Sequence, residues 1–212
     1  MAESEDWQLL DRWRQGDQQA GAALLQRYFG ILSRFFHNKV ANPDDVADLV
    51  SETMLACTTG KERIRESSSF RSFLFAIAFN QLRRYYRKQR KRELERDDFL
   101  QCVAGEFDEA SPATAVGNKR ETSLLVQGLR SLPLEYQIIL ELTLFEELTG
   151  REIGELLDMP TPTVHTRLRR GKARLGAAIE ALAANPEEYK STVTDLEGWA
   201  AQLRKQIGTP VG

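Results

Sequence analysis

The chain has 212 residues, of which 42% are hydrophobic and 28% are charged, and its formal net charge at pH 7 is -2. That length is enough for one or two domains, and the composition is typical of globular proteins, neither disordered nor membrane-embedded. The longest unbroken apolar run, Phe73 to Phe79, is far shorter than the ~20 residues that a membrane span needs.

The N-terminus and the cysteines exclude further classes. The first six residues include three acids and no base and are not followed by an apolar stretch, so we expect no signal peptide, no membrane insertion and a cytoplasmic protein. Cys57 and Cys102 are far apart, and the only histidines are His37 and His165. We therefore expect no disulfide framework, no metal site and no cofactor.

Charge is strongly segregated along this nearly neutral chain. Seven basic residues and no acid lie between Arg83 and Arg92, whereas seven acids and one base lie between Glu93 and Glu109. A second basic cluster without acids, 167–174, lies further along. Because exposed charges are screened beyond a Debye length of ~8 Å, each basic cluster can attract a polyanion by itself.

Apolar residues recur at three- and four-residue spacing, which predicts an all-α fold. In chain order, we expect helices over about 6–14, around 24–36, from a cap at Asn42 to about Cys57, and from a cap at Ser69 to about Arg96, with a polar loop over 58–69. The last of these helices would turn Phe70, Phe73, Leu74, Ile77 and either Leu82 or Tyr85 toward a core. Its other aromatics would pack on another helix or remain available: Phe75, Phe79 and Tyr86.

The periodicity fails between about 97 and 121, where acids accumulate with glycine and proline. Such a stretch indicates a flexible linker between domains. We therefore predict two small helical domains, 1–96 and 122–178, joined by the acidic linker 97–121. A short C-terminal helical extension of unknown role, 179–212, would follow, with Leu196, Trp199, Leu203 and Ile207 at three- and four-residue steps.

The segment 149–175 has the pattern of a helix-turn-helix. A short helix over 151–157 would be followed by a turn at 158–160, with Gly154 allowing the close approach of a neighbouring helix. The second helix would have Thr161 as its cap and Pro162 in its first turn. Its inward face would consist of Val164, Leu168, Gly171 and Leu175.

The other side of that second helix is basic and polar. The outward residues are Thr166, Arg169 and Arg170, flanked by Thr163, His165 and Arg167. A recognition helix needs this arrangement, because an apolar face holds it on its domain while hydroxyls and guanidiniums reach bases and phosphates in the major groove. The alternative is a solvated basic helix, but the preceding short helix and tight turn favour DNA binding.

The helix from Phe70 to Arg92 interleaves aromatic residues with polar ones and ends in the first basic cluster. Aromatic rings beside a cationic track are typical of proteins that bind single-stranded nucleic acid. A core position is the simpler interpretation for Phe70 and Phe73. The basic run exceeds what the dipole of a helix C-terminus requires.

Three segments in this order resemble the extracytoplasmic-function (group 4) sigma factors of bacterial RNA polymerase, in the sigma-70 family. The acidic helix Asp45–Glu52 resembles the family's D-x-x-D-L-V-x-E helix, Ser68–Asn80 resembles its promoter-melting helix, and Leu132–Leu175 resembles its helix-turn-helix. The sequence departs from the family where Phe79 replaces a basic residue and where Gly154 and Asp158 replace Ala and Gly.

The resemblance implies a subunit without catalytic residues that directs core polymerase to promoters and helps to melt the -10 element. Its partners would be core RNA polymerase, promoter DNA, as duplex at the -35 element and melted at the -10 element, and an anti-sigma factor or another regulator. The residues that would bind polymerase are Asp45, Asp48, Leu49 and Glu52. Those that would bind the -10 element are Arg63, Arg65, Ser68, Asn80, Arg83, Arg84, Arg87 and Lys88. Those that would bind the -35 element are Thr163, His165, Thr166, Arg167, Arg169 and Arg170, with Arg167 and Arg170 as the best contacts.

Two other functions compete with this interpretation. A helix-turn-helix transcription regulator would bind duplex DNA without core polymerase. A helical nuclease would need clustered carboxylates or metal ligands, which the sequence does not show.

Overall fold

The structure is a computed structural model that describes residues 2–64, 69–89, 119–185 and 189, with side chains described from residues 4 and 124 onward in the first and third ranges. The regular elements of these residues are all helices, which confirms the predicted all-α class. They are α1 (Ala2–Arg14), α2 (Gln18–His37), α3 (Pro43–Gly60), a 3-10 turn (Lys61–Arg63), α4 (Phe70–Gln89), α5 (Lys119–Arg130), α6 (Leu134–Leu144), α7 (Gly150–Leu157) and α8 (Thr161–Leu182). Within the described residues, no helix is both long and apolar enough to cross a membrane.

Short polar side chains fix where the first helices begin. Asn42 caps α3 as predicted, because its side-chain oxygen accepts the backbone N–H of Asp44 at 2.9 Å. Ser69 caps α4, since its Oγ accepts the N–H of Ser72 at 3.1 Å. Helix α3 extends to Gly60, three residues beyond the predicted end, and the predicted continuation of α4 to Arg96 lies outside the described residues.

Helix α4 lies deeper than its sequence pattern indicates. Phe70, Leu74 and Leu82 are buried as predicted. The aromatics on its other side are buried too, and these are Phe75, Phe79 and Tyr86. By contrast, Phe73, Ile77 and Tyr85 are only partly buried. The ring of Phe75 meets that of Phe35 on α2 at 5.3 Å between centroids, so α4 is covered on one side by α2.

Two apolar clusters meet on α6. Leu134, Ile138, Ile139 and Leu142 belong to the same cluster as the core of α1–α4, whereas Phe145, just after α6, belongs to the other. The opposite side of α6, with Tyr136 and Leu140, packs in the second cluster with α5 and α8. The helix-turn-helix half therefore packs directly against the N-terminal half, through contacts between α4 and α7 and through an ion pair between Lys39, just after α2, and Glu141 on α6. Residues 97–118 of the predicted linker lie outside the described residues, and residues 119–121 belong to α5. Most of the predicted extension also lies outside the described residues.

Candidate nucleic-acid and partner interfaces

One side of α3 carries exposed carboxylates. Asp48 and Glu52 lie one helical turn apart and are both exposed. Asp45 lies on the same side but is half-buried, and its Oδ2 accepts the hydroxyl hydrogen of Tyr85 at 2.9 Å. Burial, together with the adjacent Asp45 carboxylate, raises the pKa of Tyr85. Asp45 therefore ties α3 to α4, and Asp48 and Glu52 form the accessible part of the acidic group.

Leu49 does not belong to this surface. Its side chain is 6% exposed and packs in the core of the N-terminal half, so its contact with polymerase stays a prediction that this burial does not favour. An exposed apolar residue that the sequence analysis missed lies on the acidic side of α3: Leu55, one turn after Glu52, is 66% exposed. From hydrophobic periodicity alone, a leucine on a helix is usually interpreted as a core residue. The signal that could have identified Leu55 as exposed is its spacing, since it lies seven residues, or two helical turns, after Asp48.

The far side of α4 from its core is cationic. Asn80, Arg84, Arg87 and Lys88 are exposed, and Arg83 is half-buried. At about 100° per residue these five span roughly 140° of the helix, centred opposite Leu82. Helix α4 contains no acidic residue. This group, the α4 basic face, is therefore a continuous cationic surface.

Other residues predicted to bind the -10 element lie elsewhere. Arg63 is exposed in the 3-10 turn and lines a cleft of about 270 Å³ with Phe73 on the first part of α4. It lies beside the opposite end of α4 from the basic face. Arg65 and Ser68 are outside the described residues.

The turn of the helix-turn-helix depends on α7. A capping box starts the helix: the Thr149 Oγ1 accepts the N–H of Glu152 at 3.2 Å, while the Glu152 Oε2 accepts the N–H of Thr149 at 2.8 Å. Burial acts to raise the pKa of Glu152, but hydrogen bonds from Thr149, Ser72 and Ser69 outweigh it and lower this pKa. At the other end Asp158 adopts the left-handed conformation, with φ of 50° and ψ of 54°.

Gly154 is the second requirement of that turn. A Cβ atom at Gly154 would lie 2.8 Å from the carbonyl oxygen of Met159 and 3.6 Å from the backbone nitrogen of Thr161. The predicted close approach is therefore to the turn and the first residue of α8. Thr161 was predicted to cap α8, but it is the first residue of that helix and Pro160 occupies the cap position. Pro162 lies in the first turn, as predicted.

Helix α8 divides into the two predicted faces. Val164, Gly171 and Leu175 are buried and Leu168 is partly buried, which confirms the inward face. On the other side, four of the predicted residues are exposed: His165, Thr166, Arg169 and Arg170. Thr163 is half-buried. The outward side of the first half of α8 is therefore accessible to solvent.

Arg167 has a different role in this structure. Its Nε lies 3.2 Å from the Glu135 Oε2 on α6, and the two side chains are 24% and 16% exposed. Similarly, the Arg174 guanidinium lies 4.9 Å from the centre of the Tyr136 ring. Both cations contact α6, and Arg174 is nevertheless exposed on α8, as Arg169 and Arg170 are.

Among the described residues, no group of three or more His, Cys, Asp or Glu side chains is arranged to hold a metal ion.

The sequence matches two family profiles, Sigma-70 region 2 over residues 22–92 and Sigma-70 region 4 over residues 123–175, which together span more than half of the chain. It is 26% identical over 188 residues to the ECF RNA polymerase sigma-E factor of Haemophilus influenzae, covering 84% of this chain and 96% of that protein. It is also 26% identical to the sigma-E factor of Escherichia coli, over 84% of this chain and 95% of that protein. The RNA polymerase sigma-H factor of Pseudomonas aeruginosa is 23% identical over 86% of this chain and 97% of that protein.

A solved structure has a similar fold. CnrH, in its complex with the cytosolic domain of CnrY, matches with a TM-score of 0.62 over 84% of this chain and 99% of that chain, at 22% identity.

Proposed function

Since this chain belongs to the extracytoplasmic-function (group 4) branch of the sigma-70 family of bacterial RNA polymerase sigma factors, we propose that three of its surfaces bind core polymerase, the -10 element and the -35 element. The protein is a sigma factor that binds core RNA polymerase and promoter DNA to initiate transcription. Residues 1–96 would bind core polymerase and the -10 element, 97–121 would form the linker, and 122–178 would bind the -35 element.

Core polymerase would dock on the exposed side of α3. Asp48 and Glu52 supply negative charge there, and the 66% exposed Leu55 supplies an apolar contact one turn further on. Charged groups around an apolar centre are typical of protein interfaces. Asp45 would contribute mainly by holding α3 in place through Tyr85.

The melted -10 strand would follow the α4 basic face. Four exposed polar or cationic side chains and the half-buried Arg83 lie along one side of α4, with no acid to repel phosphates. The rings of Phe75, Phe79 and Tyr86 on α4 are buried, so unpaired bases of the strand cannot stack on them. We therefore assign the α4 basic face to the backbone of the strand.

The -35 element would be read as duplex by α8. Thr166, Arg169 and Arg170 face away from the core in the first half of the helix, where recognition helices contact base edges. The observation that carries the whole proposal is this pair of basic faces, on α4 and α8, each opposite a buried apolar face.

We further propose that the protein has no catalytic activity of its own and acts in the cytoplasm. CnrH is bound by the cytosolic domain of CnrY in its solved structure, and we propose a regulatory protein partner for this chain as well. A helix-turn-helix regulator independent of polymerase is not favoured, because the match to Sigma-70 region 2 extends over residues 22–92, outside the helix-turn-helix.

The test is transcription in vitro by purified core polymerase with the full chain, on a library of genomic promoter fragments. Arg87→Ala should bind core normally but open promoters less, and the slope of log K against log salt should become shallower by about 0.7 to 0.9. Arg12→Ala removes one exposed cation from α1 and is the matched control. Equal permanganate footprints and salt slopes for the two variants would refute the role of the α4 basic face.

A further inference from the structure

The ring of His165 on α8 lies against Gly150, the first residue of α7. A Cβ atom added at Gly150 would lie only 2.9 Å from the Cε1 and 3.0 Å from the Nε2 of His165. It would also lie 3.5 Å from the Cγ2 of Thr161, which is an ordinary van der Waals distance. The imidazole therefore occupies the space that the Cβ of any other residue at position 150 would need.

The backbone of Gly150 does not itself require glycine. Of the glycines that the structure describes, Gly16 has a positive φ and Gly150 does not. The three atoms nearest to a Cβ added at Gly150 belong to side chains, whereas at Gly154 the nearest atom is the backbone oxygen of Met159. Glycine is also less favourable than alanine in a helix. What glycine allows at position 150 is therefore the approach of the His165 ring.

His165 lies on the side of α8 that we assign to the -35 element. Its side chain is exposed, and it is the fifth residue of α8, in the half from which recognition helices contact base edges. Arg169 follows one turn later on the same side of the helix and is exposed too. The hydroxyl of the neighbouring Thr166 donates to the carbonyl oxygen of Pro162 at 2.9 Å, so its hydrogen is already used within α8. The orientation of the His165 ring therefore determines which base edge it can reach.

An imidazole ring recognises a base only in a suitable orientation. In the neutral ring one nitrogen donates a hydrogen bond and the other accepts one. In the major groove guanine presents the N7 and O6 acceptors, and adenine presents the N7 acceptor and the N6 donor. A ring that rests on α7 is already confined before DNA binds, so less side-chain freedom is lost on binding. Displacing the ring from α7 changes the base atoms that its nitrogens face.

We propose that Gly150 is a positioning residue for His165 and so determines the base preference of the protein at one position of the -35 element. This inference rests on the proposed function, in which α8 binds the -35 element as duplex. Gly150 itself contacts no base in this proposal. It leaves the space beside the first turn of α7 in which the imidazole is held, and a larger residue there turns the ring away from α7.

The test is Gly150→Ala in the full chain, assembled with core polymerase. The new Cβ meets the end of a flexible side chain and no backbone atom, so the melting temperature should change by no more than about 2 °C. Initiation is measured on a promoter library with a randomised -35 element and a fixed -10 element. The base preference should change by about fivefold at one position, as for the loss of one base contact, and stay as in wild type at the others.

A double-mutant cycle shows whether Gly150 acts through His165. His165→Ala should itself change the preference at the same position, and adding Gly150→Ala to it should have no further effect there. The control cycle combines Gly150→Ala with Arg170→Ala. Because Arg170 lies about 140° from His165 around α8, the effects of these two substitutions should add.

Three results would overturn the proposal. One is an unchanged base preference in a folded Gly150→Ala chain. Another is the same change in preference whether or not the ring of His165 is present. The third is loss of the fold in Gly150→Ala, since the glycine would then be only a structural requirement. If randomising the -35 element has no effect on initiation by the wild-type protein, the proposed role of α8 fails instead.

Discussion

Reversing the charge of the acidic side of α3 tests how the protein binds core polymerase. The change is Asp48→Lys with Glu52→Lys, and both side chains are exposed. Substitutions at such positions usually alter the free energy of unfolding by no more than about 0.5 kcal/mol. Asp45 is left unchanged, since its carboxylate holds Tyr85 at 2.9 Å and its loss would loosen α3 from α4.

The expected loss of affinity follows from the exposure of the two carboxylates. An exposed ion pair contributes about 0.2 to 1 kcal/mol, and a reversal replaces each attraction with a repulsion of similar size. Two reversals should therefore weaken binding by about 0.8 to 4 kcal/mol, which is a roughly 4- to 900-fold increase in Kd. The effect should shrink at high salt, because these charges are screened by solvent ions.

The measurement is a titration of labelled protein with purified core polymerase at low and high salt, with circular dichroism to verify the fold. The control variant is Asp11→Lys with Glu180→Lys, which makes the same change in net charge at exposed positions on α1 and α8. If both double variants bind core more weakly than wild type and to the same extent, the net charge of the whole protein matters and the α3 surface does not. If neither differs from wild type, electrostatic docking on α3 is refuted.

Three further outcomes test the helix-turn-helix half. Arg170→Ala should keep the fold and core binding but reduce initiation at promoters that depend on the -35 element, because an arginine contact with a base contributes ~1 to 3 kcal/mol. Activity equal to wild type across a randomised -35 element would exclude base reading by Arg170. Gly154→Ala should lower the melting temperature, because the new Cβ would lie 2.8 Å from a backbone oxygen; an unchanged melting curve would contradict the tight turn. The pKa of Glu152 is lowered in the folded protein, so its contribution to stability is present above the unfolded pKa near 4.5 and is lost as pH falls through the lower folded pKa. Glu152→Gln should therefore lose less stability on acidification than wild type does. Denaturant titrations at pH 6 and pH 3.5 measure this difference.

Local signals in the sequence predicted where α3 and α4 begin. Asn42 and Ser69 cap the helices that they were expected to cap, because a short polar side chain acts on backbone N–H groups only two or three residues away. The inward face of α8 was also predictable, since it depends only on helical periodicity. Such features need no knowledge of the rest of the fold.

Predictions about exposed residues were less accurate, because exposure depends on which other helix is nearby. Leu49 and Leu55 both lie on α3, six residues apart, yet one is 6% exposed and the other 66% exposed. Periodicity alone cannot say which side of α3 the other helices cover. Likewise, Arg167 is committed to Glu135, a partner 32 residues earlier that lies beside it only after α6 and α8 pack.

The ion pair between Lys39 and Glu141, whose Nζ and Oε2 atoms lie 2.6 Å apart, shows how a long-range contact leaves a trace in the sequence. Glu141 lies within the apolar residues of α6, and Lys39 lies just before Val40 after the apolar end of α2. A charge in such a position is tolerated only with a partner, because an isolated buried ion is strongly unfavourable. Each residue alone therefore predicts an opposite charge somewhere in the fold, but the separation of 102 residues hides which one. Because the two charges belong to different halves of the chain, the pair that satisfies both also holds the halves together, and separating the halves must return both charges to water.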